Sequence, residues 1–369
     1  MIVLEAVFWV VLAALVWTHA LYPLAAAGAA RLSTRRVRRD EGYEPTVSVV
    51  VAAWNEEAVI ERRLENLLTL DYPAEKLELV VASDASSDRT DELVERFAAR
   101  GVTLVRCPRG GKVAAQNHTV PQTSGELLAF TDANATWAPD ALPKLVSSFA
   151  DPDVAYACGR LRLLRADGGN REGAYWRYEL WLRASESRLG SVTGGNGSIY
   201  AVRRSDYVDV DPRFGHDLSF PYLMVQRGRR AVYDPEALAF EKPTPSNEDE
   251  FRRKVRMFEH CWLIVGRGRM LRRQPAGYAL ELVSHRHLRY ASGLLHLVLL
   301  ATSIAIAAAG GGWVYDVALG AQLGLLAAAA VGVGLARYYV LVSWATVVAL
   351  WNALRVGVPP VWEKAEGTR

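Results

Sequence analysis

Leu127-Leu128-Ala129-Phe130-Thr131-Asp132-Ala133-Asn134-Ala135-Thr136-Trp137-Ala138-Pro139-Asp140-Ala141-Leu142 decides how the chain is read. Leu127 to Phe130 is a short apolar run of the kind buried on both faces of a parallel sheet. It breaks off at Thr131-Asp132-Ala133-Asn134, and Pro139 with Asp140-Ala141-Leu142 opens a helix. Asp132 and Asn134 therefore stand one residue apart, just past the C-terminal end of a strand. Open parallel sheets bind ligands along that edge. Oxygen side chains there suit a hard divalent cation that also touches a diphosphate. For the pair alone, a solvated turn with an Asx hydrogen bond is the plainer alternative.

Upstream, the same alternation repeats. Val47 to Ala52 reads as a first strand ending in Ala53-Trp54-Asn55-Glu56-Glu57, with a helix from about Glu57 to Leu70. Leu77 to Ala82 reads as a second strand, ending in Ser83-Asp84-Ala85-Ser86-Ser87-Asp88, followed by a helix from Arg89 to Arg100. Val102 to Val105 is a third strand, and Gly110-Gly111-Lys112 opens a helix to about Val120. Strands alternating with helices give an α/β fold, a mostly parallel sheet with helices on both faces. Downstream the alternation weakens. Val154 to Gly159 and Arg160 to Leu164 read as strands, Gly173 to Gly190 as an amphipathic helix, and Ile199 to Val202 and Ala231 to Tyr233 as short strands. A glycine-rich turn occupies Thr193 to Ser198, and Phe214 to Leu218 opens a helix carrying Asp217.

The 369 residues are 51% hydrophobic with a net charge of +3, which does not point to nucleic acid. The apolar residues are concentrated at the ends. Ala6 to Ala30 is long enough to span a bilayer. It lacks the preceding basic segment of a signal peptide. Arg31, Arg35, Arg36, Arg38 and Arg39 follow it, so the positive-inside rule puts the N-terminus outside and the polar middle in the cytoplasm. Three more apolar spans run roughly 288–309, 314–336 and 340–356. If all four cross, the C-terminal tail ends outside, against the pull of Arg355, Lys364 and Arg369. His19 and His296 stand isolated in these spans, with no paired intramembrane charge, which disfavours a transporter. Cys107, Cys158 and Cys261 have neither metal spacing nor a disulfide pattern and read as buried hydrophobes. The expected organisation is a transmembrane helix over 1–30, a basic cytoplasmic linker over 31–45, an α/β domain over 46–270, an interfacial helix over 271–287, three transmembrane helices over 288–358 and a tail over 359–369.

The polar strand ends form one constellation. Asp84 either accepts the N–H of a base ring or caps the next helix, and Asp88 reads as such a cap. Lys112 reaches a phosphate, although the P-loop spacing is absent. Asp217 accepts a proton from an attacking hydroxyl. Arg253 and Arg256, three apart on a basic helix from Phe251 to Val265, share a face that grips phosphate oxygens or meets solvent and lipid headgroups.

The order of these pieces resembles the membrane-bound family 2 glycosyltransferases, which include the cellulose, hyaluronan and poly-N-acetylglucosamine synthases. Ala53-Trp54-Asn55-Glu56-Glu57 resembles the family's Pro-Ala-Tyr-Asn-Glu-Glu, and Ser83 to Thr90 its Asp-Asp-Gly-Ser-Thr-Asp-x-Thr nucleotide loop. Gly111 to Asn117 is similar to Gly-Lys-x-x-Ala-Leu-Asn. Asp132-Ala133-Asn134 stands at Asp-x-Asp, Asp217 at the catalytic acidic motif, and Arg253 to Met257 at Gln/Arg-x-x-Arg-Trp. The likeness covers roughly Thr46 to Trp262. It departs at Asn134 and His216, where acids are usual, and at Met257, where processive members carry Trp.

The resemblance implies a GT-A-like fold flanked by transmembrane helices in an inner cell membrane, with the catalytic domain cytoplasmic. It implies an inverting transfer from a nucleotide-diphosphate sugar to a polysaccharide or glycan acceptor at the membrane. Asp217 is then the base. Ala53, Asn55, Glu57, Asp84, Lys112, Asp132, Gly195, Arg253 and Arg256 contact the donor, and Asp132 and Asn134 hold Mg²⁺ or Mn²⁺. Transfer of one sugar to a lipid, polyprenyl phosphate or diacylglycerol, is the alternative acceptor reading. A non-catalytic nucleotide-sugar-binding subunit is the alternative of another class.

Overall fold

The computed structural model describes residues 1–163, 173–243 and 246–361. They form two compact units. One is α/β, built from Ala29–Pro245 with Gly268–Pro275 and the start of the tail. The other is helical, built from Met1–Gly28, Ser246–Arg267 and Ala276–Val358.

The α/β unit holds eight strands: β1 Val47–Ala53, β2 Leu77–Asp84, β3 Val102–Cys107, β4 Leu127–Asp132, β5 Thr136–Trp137, β6 Val154–Leu163, β7 Tyr200–Arg203 and β8 Arg230–Glu241. They lie in the order β3-β2-β1-β4-β7-β6-β8-β5. The first four are parallel, with Ala52 opposite both Ala82 and Asp132. From β7 onward the sheet is mixed. β7 is antiparallel to β4 and β6, and β5 to β8, while β6 and β8 are parallel. The period-2 alternation explains why both faces are dry. Val49 and Val51 pack with Leu64, Leu67 and Leu142 on one side, while Val50 packs with Phe130, Tyr200 and Phe220 on the other.

Several sequence expectations change in detail. The helix expected over 89–100 is an α-helix Thr90–Glu95 and a separate 3₁₀ turn Ala98–Arg100. The two strands expected over 154–164 are one strand, bent by a register shift between Cys158 and Arg160; Leu164 lies outside the described residues. The short strand expected over 231–233 extends to Glu241, because Asp234 to Ala237 loops out opposite Gly159 before pairing resumes at Leu238. The three cysteines are free and buried, as read.

In the helical unit, Ile2–Leu32, Trp313–Ala330 and Gly334–Arg355 are long and apolar enough to cross a membrane. The helices Ala276–Tyr290 and Ser292–Ala308 pass the same test only together, with a 64° bend between them. Asn247–Arg267 packs along Gly334–Arg355, with Trp262 Nε1 donating to the Thr346 carbonyl at 2.9 Å and Asn352 Nδ2 to Glu259 at 2.8 Å. One expectation is overturned here. His19 and His296 are not isolated, since both meet Tyr339: the His19 ring lies 5.3 Å from it, and His296 Nε2 shares a 2.7 Å hydrogen bond with its hydroxyl. They lie too far apart in sequence for periodicity to link them.

Candidate active site

The loops after β1 and β2 are laced together. Asn55 Oδ1 accepts from the backbone N–H of Ser87 at 2.7 Å and of Asp88 at 3.3 Å, while its own N–H donates to Ser86 Oγ at 3.0 Å. Glu57 accepts from Arg89 N–H at 3.2 Å, and its own N–H donates to Asp88 at 3.2 Å. Asp88 also accepts from Thr90 N–H at 3.0 Å, but the N-cap of that helix is Arg89, so Asp88 stands one residue ahead of the cap expected of it. Asn55 and Ala85 both hold left-handed backbone, φ 53° and 54°. Ala53, at the end of β1, is buried beneath this lacing.

Asp84, the last residue of β2, is almost wholly buried. Its carboxylate accepts from Gly110 N–H at 2.7 Å and Gly111 N–H at 2.9 Å, and pairs with the Arg109 guanidinium. Both oxygens thus organise the glycine loop ahead of Lys112. Arg109 in turn lies 3.7 Å over the Trp54 ring, tying this loop to the one after β1. The sequence reading passed over Arg109. Its signal is position: it directly precedes Gly-Gly-Lys, two residues past β3. Gly111 has φ +89°, and a Cβ there would collide with the Pro360 carbonyl. The first residues of the tail therefore lie against the α/β unit, on this loop; 362–369 lie outside the described residues.

Lys112 begins the next helix, and its ammonium donates to Asp132 Oδ1 at 2.5 Å and to the Gly197 carbonyl at 3.1 Å. Lys112, Asp132 and the glycine turn are thereby brought together. Gly195 N–H donates to the Asp217 carbonyl at 2.6 Å, which joins the turn to helix His216–Gln226. Gly195 has no room for a side chain: a Cβ would strike the Tyr156 hydroxyl. Asp217 sits in the first turn of its helix, where the N-terminal dipole favours a carboxylate. Beside it, His216 is buried and shares a 2.9 Å hydrogen bond with Tyr200 through Nδ1. Burial, and then Lys112, push its pKa down to about 3, so it is neutral.

A second passed-over residue supports Asp132 from behind. Arg63 falls on the apolar stripe of Ile60, Leu64 and Leu67, and that position was its signal. It is wholly buried, donates to Thr131 Oγ1 at 2.7 Å and to Asn66 Oδ1 at 2.5 Å, and lies 5.1 Å over Trp137. Burial lowers its pKa to about 9, with Asp132 and Glu241 acting against that.

Among the described residues no three His, Cys, Asp or Glu side chains gather as a metal cage. Asp132 and Asn134 offer one carboxylate and one amide. That donor set fits a hard cation that takes its other ligands from phosphate and water. Arg253 and Arg256 belong to the helical unit. Arg253 forms two 2.9 Å bonds to Glu250, and Arg256 is partly exposed.

Residues 48–210 match the family described as Glycosyl transferase family 2. The chain is 32% identical over 176 residues to a beta-monoglucosyldiacylglycerol synthase of Trichormus variabilis, covering 44% of this chain and 37% of that one. It is 29% identical over 221 residues to an N-acetylglucosaminyltransferase of Rhizobium meliloti, covering 53% and 50%. The chain thus spans half or less of these relatives. Among solved structures it is similar to a mannosyltransferase of Pyrobaculum calidifontis in complex with GDP-Man and Mn²⁺, at 26% identity and a TM-score of 0.74, covering 95% of this chain and 99% of that one. Within the α/β unit, residues 48–210 thus carry the family 2 glycosyl transferase match, on a GT-A-like sheet.

Proposed function

We propose that the chain is an inverting glycosyltransferase that moves a sugar from a nucleoside-diphosphate sugar to a hydroxyl of a glycan acceptor at a membrane. The observation that carries this reading is the convergence of Lys112, Asp132 and the Gly195–Gly197 turn with Asp217 at the C-terminal strand edge. The donor lies along that edge, its base over the laced loops and its diphosphate toward Lys112. Asp132 and Asn134 would hold Mg²⁺ or Mn²⁺, which supplies positive charge to the leaving diphosphate. Lys112 offsets the same charge. Asp217 takes the proton from the acceptor hydroxyl as it attacks the anomeric carbon. The glycine turn lets backbone come close to the sugar.

The helices expected to cross the membrane and the arginines after the first one support a multi-pass protein with this site in the cytoplasm. A second reading of the acceptor is a lipid, favoured by the likeness to a beta-monoglucosyldiacylglycerol synthase.

The test incubates membranes carrying the chain with a panel of nucleotide sugars, with and without chelator. Nucleoside diphosphate should be released from one donor, lost in chelator and restored by Mn²⁺ or Mg²⁺. Product in the organic extract identifies a lipid acceptor, and product in the aqueous phase a glycan. Binding without release from any donor would overturn the enzyme reading in favour of a binding subunit.

A further inference from the structure

Two departures from the patterns that this sequence resembles meet inside the α/β unit. His216 stands where an acid is usual, and Gln116 stands at the leucine of Gly-Lys-x-x-Ala-Leu-Asn. Both side chains turn to one hydroxyl, that of Tyr200 on β7. His216 shares its 2.9 Å hydrogen bond with it through Nδ1. Gln116 acts on the same hydroxyl. It lies one turn after Lys112 on helix Lys112–Thr119, so the two share a face. Gln116, Tyr200 and His216 are all buried. Phe130 stacks on the Tyr200 ring at 5.0 Å, and Phe220 lies 4.4 Å from the His216 ring, so both rings are packed in place.

The polar atoms around this hydroxyl have a direction. Burial, and after it Tyr207, Asp132 and Asp217, hold the Tyr200 pKa well above its ordinary 10, so the hydroxyl keeps its proton. It has that one proton to donate and two lone pairs to accept with. His216 is neutral, so one ring nitrogen carries a proton and the other a lone pair. Nε2 is buried and has no hydrogen-bond partner among the described residues. A proton on Nε2 would leave a buried N–H unpaired, in the field of the Lys112 charge that acts on the ring. A lone pair there is favoured by the same charge. Nδ1 therefore carries the proton and donates to the Tyr200 oxygen. The Tyr200 proton is left for another acceptor. Gln116 supplies one: its amide completes no other hydrogen bond among the described residues.

His216 directly precedes Asp217, whose carbonyl accepts from Gly195 N–H. The Tyr200 bond is a second tie, one residue earlier, between the strand that follows the glycine turn and the first turn of helix His216–Gln226. Gln116 brings the helix of Lys112 to the same point. We propose that Gln116, Tyr200 and His216 form one directed hydrogen-bond chain, from His216 Nδ1–H to the Tyr200 oxygen and from the Tyr200 hydroxyl to Gln116, and that it positions Asp217 relative to Lys112. The positioning role rests on the reading of Asp217 as the base; the direction of the hydrogen bonds does not.

The test uses the purified protein with its histidines labelled in nitrogen, read by NMR near neutral pH. The His216 signal is the one missing from His216→Asn. It should be that of a neutral ring protonated on Nδ1. Gln116→Leu removes the acceptor, so the Tyr200 hydroxyl should turn to Nδ1 and the ring proton should move to Nε2. Turnover is read on the same variants as nucleoside diphosphate release. His216→Phe keeps a ring and removes both nitrogens, so kcat should fall about tenfold with the donor KM little changed. Tyr200→Phe, which loses one oxygen, should do the same. His216→Asn keeps a neutral donor near Nδ1 and should recover most of what His216→Phe loses. A proton on Nε2 in the parent overturns the proposal, as does a tautomer that Gln116→Leu leaves unchanged. Loss of kcat that follows the melting temperature, with His216→Asn no better than His216→Phe, would mean that these residues only support the fold, and also overturns it. No nucleoside diphosphate release by the parent, with the tautomer changing as stated, would break the proposed function and the positioning role together, while the hydrogen-bond chain itself stood.

Discussion

The two halves of the strand edge are held by different means. On the side of β1 and β2, loops are fixed by hydrogen bonds, and left-handed backbone is carried by Asn55 and Ala85. On the side of β6, β7 and the start of helix His216–Gln226, Gly195 and Gly215 hold no left-handed backbone. Gly195 is glycine because a side chain has nowhere to go, Tyr156 and Cys158 filling the position, while at Gly215 a Cβ would push against Asp217 Oδ1, 2.5 Å away, and turn that carboxylate. The first half is set by bonding and the second by close approach. The first should therefore lose bonds gradually under substitution, and the second should fail at one added methyl.

The largest expected effect falls in the second half. Asp217→Asn keeps the shape of the side chain but cannot accept a proton. If Asp217 is the base, turnover should fall by about 10²-fold or more while donor affinity survives. Turnover within a few-fold of the parent, measured as nucleoside diphosphate release, would remove Asp217 from that role.

Gly195→Ala should be nearly as severe. The new methyl meets the Tyr156 hydroxyl and strains the hydrogen bond from Gly195 to Asp217. Overpacking of this kind costs about 1–3 kcal/mol. Adding Tyr156→Phe removes the obstructing oxygen, so the double variant should regain most of the lost stability in a denaturant melt. If the second change restores nothing, close approach is not what holds this turn.

His216 gives the same half an acid sensitivity. Its folded pKa, about 3, lies below the ordinary 6.5 of the unfolded chain. Between those values the unfolded state binds a proton that the folded state refuses. Stability should therefore fall as pH drops below about 6.5, by up to ~1.4 kcal/mol per pH unit from this group. His216→Phe should flatten that part of the stability curve. An unchanged acid limb would mean that other groups dominate it.

How much of this was legible in the sequence follows the same division. From Val47 to Asp132 each of the first four strands is a mainly apolar run with a polar cluster at or just past its end, so pattern and fold agree; only the two-residue β5, Thr136–Trp137, has no such pattern. Beyond Asp151 the pattern is cut by local exceptions. β8 looks finished at Tyr233 because Asp234-Pro235-Glu236 bulges outward. Asp84 was legible as a site residue, but its bonding to Arg109, Gly110 and Gly111 was not, since that depends on how β2 and β3 align. Lys112 and Asp132 stand 20 residues apart. Nothing in either local pattern says that they bond. The same holds for Gly195 and Tyr156, whose contact exists only once β6 and β7 pair.

The smallest expected effect lies in the bonded half. Ala85 sits at φ 54°, where a Cβ crowds the backbone and costs about 1–2 kcal/mol. The family pattern that this loop resembles has glycine at that position. Ala85→Gly should relieve the crowding, offset in part by the greater freedom glycine gives the unfolded chain. The net expectation is a gain of roughly 0.5–1 kcal/mol with turnover unchanged, because the carboxamide of Asn55 still holds Ser87 and Asp88 from the neighbouring loop. Asn55→Gly separates the two contributions. It keeps the left-handed backbone and removes those bonds, so it should destabilise by about 1 kcal/mol. If Ala85→Gly destabilises instead, or Asn55→Gly costs nothing, the hydrogen bonds are not what fixes these loops, and the contrast between the two halves of the edge fails.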